Sequence, residues 1–409
     1  MKTKDEAGCR RIGCHGLTAG GQVVVALGLA AGPAAALGLA RFAYALLLPA
    51  MRESLNWTFA TSALMNSANA VGYLLGAVAA AKVARRVGAR PTFLGGLVLI
   101  ALALLASALS GDLALLVILR SVSGAAGAAT FIIGAAIAAQ LGTGETPGRS
   151  ALLLGVYFAG GGLGIAVSGM VLPALLAVTP ADDGWRWGWV ALGLGAAFAL
   201  VAAVPAANRA PEPVNDGGQD RASRRAVSRI LIAYTLYGAG YIAYMTFIVA
   251  LLKQAGAGVD EVTAFWIALG LAAMVGGYVW GPVIARLRGG GGSALLMAVV
   301  AVGAALPLID ASPALCFASA ALFGISFLAV VAAVTHAART ALEPAQWTAG
   351  VAILTAGFAL GQCIGPVLAG LLSDIADGVR TGMLLSVGIL AIAAVVALTH
   401  RQPRKAAAP

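Results

Sequence analysis

Two cations stand where the chain offers them nothing negative. Arg41 lies in LGLARFAYALLLPAM and Arg120 in LALLVILRSVSGAAG, and neither apolar run contains an acidic residue. A guanidinium is a planar fork of five N–H donors that grips carboxylate or phosphate groups bidentately, so the chemistry implied is recognition of an anion. Polar residues recur at helical spacing around these cations. Arg41 and Tyr44 are three apart; Asn66, Asn69 and Tyr73 follow i, i+3, i+7; Tyr237, Tyr241 and Tyr244 follow i, i+4, i+7. Each set therefore shares one helix face. The candidate ligand-binding residues are Arg41, Tyr44, Asn69, Tyr73, Arg120, Tyr157, Tyr241, Tyr244, Tyr278 and Gln362. The competing reading is structural: Arg120 bonds helix carbonyls or pairs with Asp112, Arg41 snorkels outward, and the polar stripes only hydrogen-bond between helices.

Catalytic signatures are missing. The sequence has no HExxH, GxSxG or Walker pattern, and Gly238-x-Gly240 sits inside an apolar run with no preceding strand, which fails the context of a dinucleotide loop. The chain reads as a non-enzyme with no cofactor and no metal. Cys9, Cys14 and His15 read as chance neighbours in a polar tail, while Cys316 and Cys363 read as small hydrophobes, too few and scattered for a disulfide scaffold. His336 reads as an interfacial histidine, and Trp185, Trp187 and Trp189 as anchors at a membrane surface.

The elements that must position these residues follow from composition. Of 409 residues 60% are hydrophobic and only 10% charged, with a mean hydropathy of +0.93. A soluble domain carries about 25% charge, so soluble enzymes, nucleic-acid-binding domains and disordered chains are excluded. Apolar stretches long enough to cross a bilayer, ~20 residues, lie at 23–50, 58–81, 91–110, 113–139, 150–177, 187–206, 229–252, 262–285, 293–310, 313–336, 347–372 and 380–399. Hydrocarbon offers no partner to free backbone groups, so each is expected to be a helix. The first is too long for a signal-peptide core and is expected to be retained.

Charge sets the orientation. With the amino terminus inside, the inner segments hold twenty Lys and Arg, while the outer loops hold four: Arg52, Arg186, Lys253 and Arg380. That bias places both termini in the cytoplasm and accounts for the net charge of +10 without nucleic acid. The organisation expected is a tail (1–22), a six-helix bundle (23–206), a flexible cytoplasmic linker (207–228), a second six-helix bundle (229–399) and a tail (400–409).

The two bundles repeat. GLARFAY at Gly38 resembles GAGYIAY at Gly238, GYLLG at Gly72 resembles GYVWG at Gly277, Gly124 aligns with Gly324, and GGGLGIAVSG at Gly160 aligns with GQCIGPVLAG at Gly361. Spacings of 200–205 residues imply two pseudo-symmetric halves around a midplane cavity. The fold class expected is an all-α integral membrane protein with twelve transmembrane helices in two six-helix halves.

These motifs resemble the major facilitator superfamily over nearly the whole chain. After the second helix, Arg85, Arg86, Val87, Gly88, Ala89 and Arg90 stand where the family has Asp-Arg-x-Gly-Arg, with Arg85 in place of the Asp. Arg120, Gly124 and Gly127 resemble the fourth-helix motif. Gly160, Gly164, Ile165, Ser168 and Gly169 resemble the fifth-helix motif without its Pro, and Gly361, Gly365, Pro366, Ala369 and Gly370 form a fuller copy in the eleventh helix. The run LGLARFAYALLLPAM with NSANAVGYLLGA resembles the YbfB/YjiJ branch. The resemblance implies a secondary transporter of a bacterial plasma (inner) membrane working by alternating access, with protons as the family's usual coupling ion. Joined to the arginines, it gives a small organic anion as substrate and a monomer in the bilayer. A proton-coupled exporter of drugs or metabolites is the alternative; from another class, a membrane receptor or partner subunit with a transporter fold.

Overall fold

The computed structural model describes residues 18–143, 145–180, 182–213, 224–343, 346–375 and 378–400; Cys9, Cys14 and His15 lie outside them. Twelve membrane-length helices run through these residues, and no strand occurs among them. They are α1 (Ala19–Ser54), α2 (Phe59–Val87), α3 (Ala89–Ser107), α4 (Leu113–Leu141), α5 (Pro147–Val178), α6 (Gly184–Arg209), α7 (Arg224–Gln254), α8 (Val259–Arg286), α9 (Gly291–Ile309), α10 (Pro313–Ala341), α11 (Trp347–Ile375) and α12 (Val379–Leu398). Each apolar stretch in the sequence is one of these helices, so the chain is a multi-pass membrane protein.

Helix starts follow capping chemistry. The side chains of Thr18, Thr58, Asp112 and Thr146 accept from backbone N–H groups three residues on, satisfying amides that have no intrahelical acceptor. Asp112 is thereby spent on Leu115 N at 2.8 Å. Gly88, at φ +100°, turns the chain between α2 and α3, a backbone conformation open to glycine at no steric cost.

Inside α1 the helix is not regular. Residues Ala34–Phe42 form a π-helical stretch directly after Pro33, and Ala43 N donates to Gly38 O at 3.0 Å. Proline has no N–H to give the preceding turn, and the wider turn that follows leaves acceptors out of the ordinary ladder.

Glycine sets how closely helices approach. A Cβ on Gly160 or Gly164 of α5 would overlap the Ala30 or Ala34 carbonyl of α1, and one on Gly361 or Gly365 of α11 would overlap the Thr235 or Ala239 carbonyl of α7. Backbones meet there because no side chain stands between them. These pairs also define the true internal register. Gly76 meets Ala125 as Gly276 meets Ile325, and Gly124 meets Asn69 as Gly324 meets Leu269, a spacing of 200 residues in α2/α8 and α4/α10. The match of Gly72 to Gly277 therefore runs five residues out of register. So does that of Gly38 to Gly238, since the α1/α7 contacts repeat at 205.

The halves meet along α2–α11 and α5–α8, with α1 against α7. Along the two central helices burial is one-sided. Every residue from Ala35 to Leu48 and from Tyr237 to Leu252 is buried, whereas Val24 (60% exposed), Leu27 (58%) and Ile232 (54%) lie toward the end that carries Ala19 and Leu398. Burial along α1 and α7 is thus continuous toward the far end and interrupted toward the end that carries Ala19 and Leu398.

Candidate functional site

Four candidates converge. Arg41, Tyr73, Tyr241 and Gln362 each lie about 13 or 14 residues from the far end of α1, α2, α7 and α11, or roughly 20 Å at 1.5 Å per residue. They occupy one level of the bundle and come from both halves. Arg41 is buried at 4% exposure, and its Nη2 donates to Gln362 Oε1 at 2.5 Å. Gln362 Nε2 in turn donates to the Tyr241 hydroxyl at 2.6 Å. The Arg41 guanidinium lies 5.0 Å from the Tyr73 ring centroid, a cation–π distance. Its Nε is buried and has no hydrogen-bond partner among the described residues. Among the described residues the two ion pairs are Arg90–Glu212 and Arg186–Asp183, and neither involves Arg41.

Arg120 is differently placed. It is 1% exposed; its Nη1 donates to the Ala40 carbonyl within the π-helical stretch, its Nε to Met65 O at 3.3 Å and its Nη2 to Asn66 Oδ1 at 3.2 Å. The Tyr44 and Trp189 rings stand 5.2 and 5.5 Å from the guanidinium carbon. Protein acceptors thus engage all three nitrogens, and the cation holds α1, α2 and α4 together. Asn69 belongs to the same group through Arg120 O (3.3 Å) and Ser123 Oγ (3.2 Å), and Tyr44 donates to Ser62 O at 2.8 Å.

The other three candidates lie apart from Arg41. Tyr157 donates to Phe131 O at 2.8 Å, Tyr244 pairs with Ser319 at 2.6 Å, and Tyr278, 44% exposed, reaches Leu152 O at 3.4 Å in the α5–α8 seam. The tryptophan expectation is corrected: Trp185 and Trp189 are fully buried, the first donating to Ser54 Oγ at 3.1 Å, and Trp187 alone of the three is exposed, at 56%. Both buried tryptophans pack against α1, Trp185 through Ser54 and Trp189 through the Tyr44 ring, on which it stacks at 6.2 Å.

Sequence reading missed the aromatic wall. Phe358 stacks on Tyr234 (4.4 Å between centroids), on Tyr241 (5.5 Å) and on Tyr237 (6.1 Å), while Phe327 adjoins Tyr241 and Phe42. The available signal was spacing, since Phe358 lies four residues before Gln362 and Tyr234 extends the α7 stripe by three. Asn66 also bridges the halves, donating to Thr246 Oγ1 at 2.7 Å.

The geometry has known counterparts. Residues 33–398 match the family described as uncharacterised MFS-type transporter YbfB. No curated protein matches the sequence. Among solved structures, a bacterial homologue of the human lysosomal transporter Spinster, inward-facing and occupied, aligns with a TM-score of 0.70 and 18% identity over 92% of this chain and 95% of its own. The nucleoside transporter NupG aligns with a TM-score of 0.71 and 14% identity over 91% and 99%. The human organic anion transporter MFSD10 aligns with 0.61 and 17% over 92% and 98%. At these identities the likeness is one of fold. With twelve apolar helices, a paired glycine architecture and a family match over most of its length, the chain belongs to the YbfB-type transporters of the major facilitator superfamily.

Proposed function

We propose that this transporter moves a small organic anion, with Arg41 as the residue that grips it. One observation carries the reading: a buried guanidinium at the level shared by both halves keeps an undonated Nε and, among the described residues, has no carboxylate paired to it. An unpaired buried charge is costly, and an anion from water removes that cost while supplying the acceptor that Nε lacks. The fold neighbours include a nucleoside transporter and an organic anion transporter, so architecture does not choose the cargo; the site residue does. Tyr73, Tyr241 and Gln362 orient the guanidinium. Arg120, Tyr44 and Asn69 shape the wall behind it.

The Lys and Arg bias of the sequence supports a cytoplasmic location for the end carrying both termini, in the inner membrane of a bacterium. On that reading the lost burial at Val24, Leu27 and Ile232 corresponds to a state open to the cytoplasm, and rocking of the halves about the Arg41 level exposes the site to the other side. The cycle runs on a gradient, as a monomer. A thermal-shift screen of purified protein against small carboxylates, phosphonates and cationic dyes tests the reading, because a ligand of the folded state raises its melting point. Stabilisation by anions that disappears in Arg41→Gln is expected; stabilisation by cations alone, or anion stabilisation undiminished in Arg41→Gln, overturns it.

A further inference from the structure

We infer that the Arg41 site selects a flat aromatic acid. This deepens the anion reading above and rests on it. The aliphatic side chains common in cores are replaced beside Gln362 and Tyr241 by a wall of four rings, Tyr234, Tyr237, Tyr241 and Phe358, whose planes make interplanar angles between 6° and 12°. Ring pairs adopt both offset-stacked and edge-to-face arrangements, so a shared orientation across two helices from α7 and α11 is a specific feature. Tyr234, Tyr237 and Tyr241 are buried, so Phe358, half-buried, is the member of the wall that a flat ring would meet.

The wall is joined to the charge. Tyr241 accepts from Gln362, and Gln362 accepts from Arg41, so the guanidinium and the rings are one hydrogen-bonded unit. Tyr73, from the other half, brings a further ring to the guanidinium at 5.0 Å. Tyr73, at the level of the cation, and Phe358, one turn from it, are only half-buried.

Direction of approach fits the same shape. Phe358 precedes Gln362 by one helical turn in α11, and Tyr234 precedes Tyr241 by two in α7, both toward the end where Ile232 and Leu27 are exposed. A carboxylate that reaches the Arg41 Nε from that end carries its hydrocarbon part alongside Phe358. A saturated body of equal size gains the same burial; a flat ring gains the stacking as well, worth roughly three- to tenfold in affinity.

The test is calorimetric titration of the purified full chain with two matched pairs, benzoate against cyclohexanecarboxylate and 2-naphthoate against decalin-2-carboxylate. We expect each aromatic acid to bind roughly three- to tenfold more tightly than its saturated partner, and Phe358→Leu to bring the partners to equality while both acids still bind. Arg41→Gln loses all four, with folding checked by an unchanged melting profile. Equal affinities within both pairs in the wild type overturn the aromatic inference and leave the anion reading standing. Binding of none of the four acids overturns both, and binding of benzylamine in their place identifies a cation site.

Discussion

The Asp374 carboxylate, at the far end of α11, accepts hydrogen bonds from the backbone N–H groups of Phe59 at 2.7 Å and Ala60 at 2.9 Å. Those amides open α2 and have no acceptor within their own helix, and they carry the positive end of its dipole. A carboxylate from one half thus caps a helix of the other. Around it the fit is close: a Cβ on Gly370 would stand 2.8 Å from Ala60 Cα, and the Arg52 guanidinium lies 3.9 Å from the Phe59 ring centroid. In the alternating-access cycle proposed above, opening the far end breaks this cap, so Asp374 favours the state described here.

Removing the cap should release the far end. Spin labels at the exposed positions Asn56 and Arg380 report the separation of the halves there. Two hydrogen bonds to a charged acceptor contribute about 1.5–3 kcal/mol each, partly recovered from water, so Asp374→Ala is expected to raise the long-distance population about tenfold. Asp374→Asn, which keeps one acceptor, should have a smaller effect. An unchanged distance distribution in Asp374→Ala assigns the seal to the packing of Gly370 and Phe59 instead.

The two buried arginines should respond oppositely to neutralisation. Arg120→Gln removes the charged hydrogen bonds to the Ala40 and Met65 carbonyls and to Asn66, each contributing about 1.5–3 kcal/mol, so a clear loss of thermal stability is expected. Arg120→Lys should rescue little of it, because one ammonium cannot span acceptors that a planar fork reaches. Arg41→Gln removes a charge that has one protein acceptor and an idle Nε, so its melting point should stay level or rise. Destabilisation by Arg41→Gln as large as by Arg120→Gln would mean that both cations are structural.

How much of this was legible in the sequence depends on what each signal encodes. Hydropathy reports the solvent of a segment, so the twelve helices could be read directly. The type and rarity of Arg41 marked it, and the mid-helix position of Gln362 marked its partner. For Arg120 the sequence left both anion binding and bonding to helix carbonyls open; it could not choose, since the acceptors Ala40 and Met65 contribute carbonyls that every residue possesses. The π-helical stretch has Pro33 as its local clue, yet most helix prolines only kink. Phe358 looks like any lipid-facing phenylalanine until α7 is laid against α11. Trp185 and Trp189 were misread because an interfacial belt is a statistical habit, whereas Ser54 and Tyr44 supplied these two with specific neighbours in α1.

Adjacent glycines in α8 should separate packing from composition. A Cβ on Gly276 would overlap the Ile325 carbonyl of α10, while around Gly277 nothing lies within 4 Å. Gly276→Ala should therefore destabilise, as should Gly76→Ala at its counterpart against Ala125. Gly277→Ala should be neutral or gain about 0.5–1 kcal/mol from reduced backbone freedom. Melting curves of the three variants decide the matter. A Gly277→Ala loss matching that of Gly276→Ala would restore the register in which Gly277 pairs with Gly72.

Acid should loosen the end that carries the termini, through His400. The residue follows α12, is 4% exposed, and its carbonyl accepts from Gly290 N at 2.9 Å, joining α12 to the start of α9. Burial pushes its imidazole below the usual 6.5, the Arg229 charge adds to that shift, and the Ala337 backbone opposes it. The sign follows from which state binds the proton. The unfolded chain protonates His400 near pH 6.5 while the folded chain resists, so stability is fully present above about pH 6.5 and declines as pH falls toward the depressed value. Melting temperature should thus be flat from pH 8 to 7 and fall below 6.5, with the slope reduced in His400→Gln, whose side chain keeps its hydrogen-bonding groups without titrating in this range. An identical pH profile in that variant would place the titrating group elsewhere.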